Sequence, residues 1–380
     1  MCMHIHLVSF DIAYPADYGG VIDVFYKLKS LAAAGVKVHL HCFEYGRKQS
    51  DILHQFSFEV NYYQRNTAKS QLFNRLPYIV VSRANEQLVQ NLLQDNYPII
   101  FEGLHCCYYL DDLRLKNRVR IVRTHNIEHH YYQSLARIES NIFKRYYFYN
   151  EAEKLALFEH NLKYATCIAA ISPNDTAYFT KHYNHTEYVP AFHAHTQMLF
   201  KPGKGNYALY HGNLSIGENN EAALYLINEV FAQTNFELII AGSKPSKTLR
   251  AAVEKHHNIS LRADVSVTTI ESLIANAHVN VLPTFQPTGI KLKLLSALYI
   301  GKHCLVNDIM VANTGLESLC HIANSPESFK KQLKHLLKKS FSKTDCEKRT
   351  VVLSNHFSNT AGANKIISII KGFSNTLMHD

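Results

Sequence analysis

The stretch PTFQPTGIKLKLLSALYIGKHCLVND, Pro283 to Asp308, decides the fold. Just before it, AHVNVLP (Ala277 to Pro283) is a short, β-branched, apolar run, and Pro283 and Pro287 stop its continuation, so a strand ends there in a turn. A helix is expected from about Gly289, with Ile290, Leu294, Ala297, Leu298 and Ile300 as its apolar stripe and Gly301 closing it in a left-handed cap. HCLVN then supplies the next strand. Strand, loop, helix and strand make a βαβ unit of a parallel sheet. At the helix mouth the N–H groups of Thr288, Gly289 and Ile290 have no partner within the helix, and Lys291 and Lys293 bring cations to the same region. That combination suits a diphosphate, while an ordinary βαβ unit with a basic face is the plain alternative for this stretch alone.

Outward from it, 380 residues exceed the usual range of a single core, so two domains are expected. A hydrophobic content of 47% with 19% charged residues excludes a disordered chain, and no apolar run approaches the ~20 residues that span a bilayer. The start, MCMHIHLVSFD, lacks a charged n-region and reads as a first strand, which points to a cytoplasmic protein. Eight cysteines, Cys106 and Cys107 adjacent, show no metal-finger spacing and read as small buried hydrophobes. The net charge of +9 is concentrated in the C-terminal half, above all between Phe329 and Arg349. A solvated helix face is the simpler reading of that charge and an anionic membrane surface the second. Nucleic acid is not expected, because no nucleic-acid-binding signature accompanies it.

The N-terminal half opens as strand HIHLVSF, turn DIAYPADYGG, a helix through Ala34 and strand VKVHLHCF. Gly19 and Gly20 sit between strand and helix, where absence of Cβ lets backbone amides approach a ligand; no GxGxxG follows, which disfavours a nicotinamide site. FEVNYY reads as a strand, Asn85 to Gln94 as a helix, and YPIIFEG and RVRIVRTH as two further strands. Between these, Arg114, Lys116, Arg118 and Arg120 alternate and, if extended, share one exposed cationic edge. In RTHNIEHHYYQSLA, His125 falls at the carboxyl end of a strand, the side of a doubly wound sheet that faces ligands. His129 and His130 with Glu128 lack a third ligand at metal spacing. Asn141 to Tyr164 reads as a long helix whose stripe is mostly core, although Lys144 and Arg145 with Tyr146, Tyr147, Phe148 and Tyr149 also fit an interfacial patch. TCIAAIS is a strand, and a helix capped by Ser172 follows.

A linker around VPAFHAHTQMLFKPGKGN leads into YALYHGNLSIGENNEAALYLI, a strand, a loop at Gly212 and Asn213 and a helix from about Glu218. FELIIAG and NISLRADV continue the βα pattern up to the central stretch, and a last helix is expected over Thr360 to Leu377.

The proline-rich turn followed by G-I-K-L-K-L-L-x-A-L, then G-K and an apolar strand, resembles the nucleotide-sugar loop of retaining GT-B glycosyltransferases, family 4 in particular. HNxEHxxY resembles the His-Asn-x-Glu signature of many bacterial members, and the order of motifs, from the glycine pair through GNL to the central helix, resembles the family over nearly the whole chain. The resemblance implies an α/β GT-B fold of two Rossmann-like doubly wound domains facing a central cleft. Residues 1–195 would form the acceptor side, 196–355 the donor side, and 356–380 a helix crossing back to the first domain. It implies a glycosyltransferase moving a hexose from a nucleotide-diphosphate sugar to a glycan or lipid-linked acceptor in cell-surface polysaccharide synthesis. Such a protein would be cytoplasmic or peripheral on the inner face of the membrane. His125 would touch the moving sugar. Gly19, Gly20, Gly212, Asn213, Thr288, Gly289, Ile290, Lys291, Lys293 and Ser296 would hold the donor, and Asn126, Glu128, Lys144 and Arg145 would lie on the acceptor or membrane side. Three departures stand out: Thr288 and Ser296 occupy positions that carry acids in most members, and no Arg or Lys lies near Asn219. No DxD motif is present, so no metal cofactor is expected, and lysines and helix-start amides would meet the leaving-group charge. A GT-B UDP-sugar epimerase and a nucleotide-sugar-binding protein that has lost catalysis stay open as alternatives.

Overall fold

The computed structural model describes residues 2–285, 292–312 and 314–377, which form two compact units, 2–194 with 357–377 and 195–356. Thr288, Gly289, Ile290 and Lys291 lie outside the described residues.

The first unit is built on seven parallel strands: β1 His4–Ser9, β2 Lys37–Glu44, β3 Glu59–Gln64, β4 Ile99–Glu102, β5 Arg120–Thr124, β6 Cys167–Ala170 and β7 Thr186–Tyr188. Their order is β3-β2-β1-β4-β5-β6-β7, so the direction of winding reverses between β1 and β4. The carboxyl ends of those two strands form the crevice where ligands of doubly wound sheets bind. The helix Gly19–Ala33 returns from β1 and buries Val21, Val24, Phe25, Leu28 and Leu31, a stripe with helical period. Asp23 and Lys27 are also fully buried, one turn apart on this helix. The last helix, Asn359–Leu377, packs against Gly19–Ala33 and adds Ala363, Ile366 and Ile370 to this core.

Two expectations are corrected in this unit. The basic residues from Arg114 to Arg120 do not form an exposed strand edge. Leu113–Leu115 is a 3-10 turn, and Arg114 pairs with Asp112 and Glu86. Arg118 is only 4% exposed and donates to the Tyr97 carbonyl, because the turn brings buried carbonyls within its reach. The long helix, Ile142–Glu159, is core only in its second half, where Glu151, Ala152, Leu155 and Phe158 are buried. Its first turns stand in solvent, with Phe143 79% and Tyr146 74% exposed.

The second unit carries six parallel strands: β8 Ala208–His211, β9 Leu238–Gly242, β10 Ile259–Ala263, β11 Val279–Val281, β12 His303–Val306 and β13 His321–Ile322. They are ordered β10-β9-β8-β11-β12-β13, with the switch point between β8 and β11. Helix Leu292–Ile300 connects β11 to β12 and buries Leu294, Leu295, Ala297 and Leu298. Gly301 is not among the left-handed glycines, which corrects the expected cap. Glycine is needed there because a Cβ would sit 2.3 Å from Nδ2 of Asn280.

A block of histidines spans β1 and β2 in the first unit. Alternation puts His4 and His6 on one face of β1 and His39 and His41 on the same face of β2. His4 Nδ1 meets His39 Nε2 at 3.0 Å, His6 Nδ1 meets His41 Nε2 at 2.8 Å, His6 Nε2 bonds Asp95 at 2.9 Å and His41 Nδ1 bonds the Tyr63 hydroxyl at 2.7 Å. In the His6–His41 pair one ring donates and the other accepts, so these two rings cannot both be protonated. Burial pushes His6 down to about 4, against a partial pull upward from Asp95, and burial with the neighbouring His6 holds His41 well below its ordinary value. Arg118 adds to both downward shifts.

A histidine whose folded value is depressed contributes its stability above the unfolded value of 6.5 and loses it as pH falls toward 4. His6 alone is worth about 3 kcal/mol across that window. The urea midpoint of the protein should therefore fall steeply between pH 6.5 and 4, and a His6→Asn variant should show a shallower dependence. Equal slopes for the two proteins would contradict the assignment.

Candidate active site

In the first unit the chain brings polar groups to the ends of β1, β4 and β5. Lys27 Nζ lies 2.8 Å from Asp23 Oδ2 and 2.8 Å from Glu102 Oε1, and it also donates to Glu102 Oε2 at 3.0 Å. Arg123, the residue before Thr124 on β5, grips Asp23 with Nη2 at 2.9 Å and Nε at 3.1 Å. Asp23 Oδ1 also accepts from the backbone N–H of Phe192 at 2.8 Å. Burial would raise the Asp23 carboxyl, but Arg123 and then Lys27 outweigh it and hold it well below the usual carboxylate range. His125, immediately after β5, places Nε2 2.9 Å from Glu102 Oε2. Its Nδ1 is buried and has no hydrogen-bond partner among the described residues.

Asp23, Glu102 and His125 converge closely enough to hold a cation. The carboxylate oxygens that a metal ion would take are already engaged by the Lys27 ammonium and the Arg123 guanidinium, so the cluster is internally neutralised. His129, considered for metal from the sequence, instead faces Glu159 at 3.1 Å.

The Phe10 ring meets His125 edge-on at 5.5 Å and His105 at 5.3 Å, and Glu128 lies 4.0 Å from His105 Nδ1. A Cβ at Gly20 would lie 2.6 Å from Cζ of Phe10, so the missing side chain makes room for that ring. Gly19 opens the same helix. Glu128 is 2% exposed, and burial pushes its carboxyl up to about 8, opposed in part by a bond from Asn126. Near neutral pH it carries its proton and can donate as well as accept. Lys144 and Arg145 lie on the exposed first turns of Ile142–Glu159, where Arg145 Nε donates to the Glu139 carbonyl at 3.0 Å.

In the second unit, β8 ends at His211 and the loop Gly212–Asn213 follows. Asn213 spends its side-chain oxygen on Ser215, and its carbonyl accepts from Asn219 Nδ2 at 2.9 Å. Lys293 reaches the same place from helix Leu292–Ile300, with Nζ 2.7 Å from Asn219 Oδ1, 3.4 Å from the Tyr210 hydroxyl and 5.3 Å from the Tyr210 ring centre. The cation missing near Asn219 in sequence is thus supplied in space by Lys293. Burial, then Lys293 and His195, push His211 down to about 3, so it stays neutral beside them. Ser296 meets His195 Nε2 at 2.9 Å through its hydroxyl, and His195 stacks on Tyr299. Thr284, beyond the end of β11, is held by Asn307, which accepts from the Thr284 N–H at 3.0 Å and donates to the Thr284 carbonyl at 2.6 Å. The Thr284 hydroxyl in turn donates to Glu218.

Sequence reading missed Asp23, Lys27, Glu102 and His195. The i, i+4 spacing of Asp23 and Lys27 on an otherwise apolar stripe was the one available signal, since a paired charge is what such a face tolerates. Glu102 ends a wholly apolar strand, and its partners lie far away in the chain. His195 sits in the linker, with nothing local to mark it.

Residues 205–339 match a family described as Glycosyl transferases group 1. A protein of Klebsiella pneumoniae named an uncharacterized 44.6 kDa protein in the cps region is 26% identical over 314 residues, covering 77% of this chain and 79% of that one. Among solved structures, a glycosyltransferase from Rickettsia africae superposes with a TM-score of 0.64 at 12% identity, covering 97% of this chain and 98% of that one. WaaG, a glycosyltransferase involved in lipopolysaccharide biosynthesis, superposes with a TM-score of 0.61 at 13% identity, covering 97% and 100%. A structure described as trehalose-6-phosphate from E. coli bound with UDP-2-fluoro glucose gives 0.64 at 12%, covering 97% and 99%.

An acid whose folded value is raised makes the protein less stable as pH climbs from 4.5 to about 8, because the folded state holds a proton that the unfolded chain has released. Glu128→Gln, which keeps the shape without the charge, should match the wild type near pH 4.5 and exceed its denaturation midpoint increasingly toward pH 8. A variant less stable than the wild type at every pH would overturn the neutral assignment of Glu128.

Proposed function

We propose that the chain, a glycosyltransferase of the GT-B type, transfers a hexose from a nucleoside-diphosphate sugar to a glycan or lipid-linked acceptor in surface-polysaccharide synthesis. In this reading it is retaining, resembles family 4 and works without a metal ion. The observation that carries the reading is the Lys293 contact: an ammonium 2.7 Å from Asn219, beside the Gly212 loop and inside the region matched to the glycosyltransferase family. A cation there can hold the donor diphosphate and stabilise the negative charge that it gathers as the sugar leaves. Lys291 and the backbone of Thr288, Gly289 and Ile290 would complete the phosphate site, with Gly212 and Asn213 beside it. His195 joins Ser296 where most of the family carries an acid, so ribose contacts would fall to a hydroxyl and an imidazole. His125 would meet the transferred sugar, and Asn126 with the neutral Glu128 would meet hydroxyls of the acceptor. The K. pneumoniae relative from a cps region and the lipopolysaccharide enzyme among the structural neighbours support a surface polysaccharide as the destination.

Lys293→Ala should weaken nucleoside-diphosphate binding by about 2 kcal/mol, roughly thirty-fold, the scale of a charge-assisted contact. Calorimetry with uridine, guanosine and adenosine diphosphates checks it, after a thermal-shift screen has named the base. Undiminished affinity would remove Lys293 from the donor site.

A peripheral place on an anionic membrane is the second part of the proposal. No helix among the described residues is long and apolar enough to cross a membrane. The exposed turn Ile142 to Tyr146 carries Ile142, Phe143 and Tyr146 together with Lys144 and Arg145, and aromatic rings with cations suit the headgroup boundary. Phosphatidylglycerol vesicles should co-sediment the wild type and release a Phe143→Ser, Lys144→Ser, Arg145→Ser triple variant, whereas phosphatidylcholine vesicles should bind neither. Equal retention of both proteins on the anionic vesicles would refute this surface.

A further inference from the structure

We propose that Glu102 is a positioning residue for His125: it fixes the imidazole as the Nε2–H tautomer and leaves the unprotonated Nδ1 as a hydrogen-bond acceptor for a sugar hydroxyl. The argument begins with charge. Four buried ionic groups, Asp23, Lys27, Glu102 and Arg123, are all fully buried and linked, and their formal charges cancel. A protonated His125 would add one uncompensated buried charge to a set that is already balanced, which is costly in a water-poor interior. The neutral imidazole is the form that fits.

Its tautomer follows from the partner. Glu102, held between the Lys27 ammonium and His125, is ionised and can only accept. The 2.9 Å contact therefore requires the hydrogen to be on Nε2. A neutral ring with Nε2–H has a lone pair on Nδ1, and that atom is the one left without a partner among the described residues. A buried acceptor without a donor is uncommon in folded proteins and marks a place where something else completes the bond. Phe10 stands edge-on to the ring and restricts its tilt. Among the groups of a sugar, a hydroxyl can donate to such an atom, whereas a phosphate oxygen cannot. The assignment predicts that His125 discriminates for the sugar and against the diphosphate end of the donor.

The role of the hydroxyl rests on the glycosyltransferase reading; the tautomer does not. Two-bond proton–nitrogen correlation spectra of the full-length protein carrying nitrogen-15 histidine, with the His125 signal identified by its loss in His125→Gln, should show a single Nε2–H tautomer near neutral pH. An Nδ1–H ring or an averaging mixture would overturn the proposal, and no substrate is needed to see it. The activity arm compares Glu102→Gln, His125→Gln and the double variant with the donor found by the binding screen. Glu102→Gln should lower kcat about ten- to hundredfold with the donor KM unchanged, the scale of one hydrogen bond to a charged group. In the His125→Gln background it should cost nothing further in kcat, because its effect passes through the imidazole. Additive losses would assign Glu102 a structural role only. Should Glu102→Gln fail to fold, the wild-type spectrum still decides the tautomer.

Discussion

The ammonium of Lys27, within 2.8 Å of both Asp23 and Glu102 and wholly out of solvent, is the interaction on which the first unit depends. A lone ammonium or carboxylate in that position would be prohibitively desolvated, so the charges are admissible only together. Removing one partner of such a set typically costs on the order of 3–5 kcal/mol, because the others are left uncompensated. The network therefore couples parts of the chain far apart in sequence: the helix Gly19–Ala33, the end of β4, and β5 with the segment leading to Phe192. It also sets the boundary conditions for His125. Core and chemistry are linked at this point, since the cluster that permits close packing under the sheet end also leaves one histidine nitrogen open.

The second unit places a cation at the corresponding end of its sheet. Asn219 and Tyr210 orient Lys293 through an amide oxygen, a hydroxyl and a ring face. His211 nearby is kept uncharged by burial, which avoids a second repulsive cation in the same small space. Asn307 and Glu218 hold Thr284 beyond the end of β11. Each unit thus carries a polar cluster beside the switch point of its parallel sheet.

Much of this was legible before any coordinates. LIIAG, and Ile99 to Phe101 ahead of Glu102, are unbroken apolar runs typical of buried parallel strands, and the apolar stripe of Leu292–Ile300 follows the helical period. His125 and Lys293 stand out in the sequence because a strand end and a helix start are special positions in such sheets. What escaped was tertiary. Alternating arginines suggested an exposed edge, but Arg118 is drawn inward by carbonyls that no local pattern reveals. Gly301 looked like a cap glycine, whereas it yields its Cβ volume to Asn280 from another element, as Gly20 does to Phe10. Glu102 was invisible because its meaning comes from Lys27 and His125, both distant in the chain.

The measurement that tests the central claim most directly is the transfer itself, followed by proton NMR with the donor sugar chosen by base and a polysaccharide or lipid-linked acceptor. The account predicts release of the nucleoside diphosphate together with a new glycosidic signal whose anomeric configuration matches that of the donor. Firm binding of the nucleotide sugar with no turnover on any acceptor would contradict it and leave a binding protein in place of an enzyme.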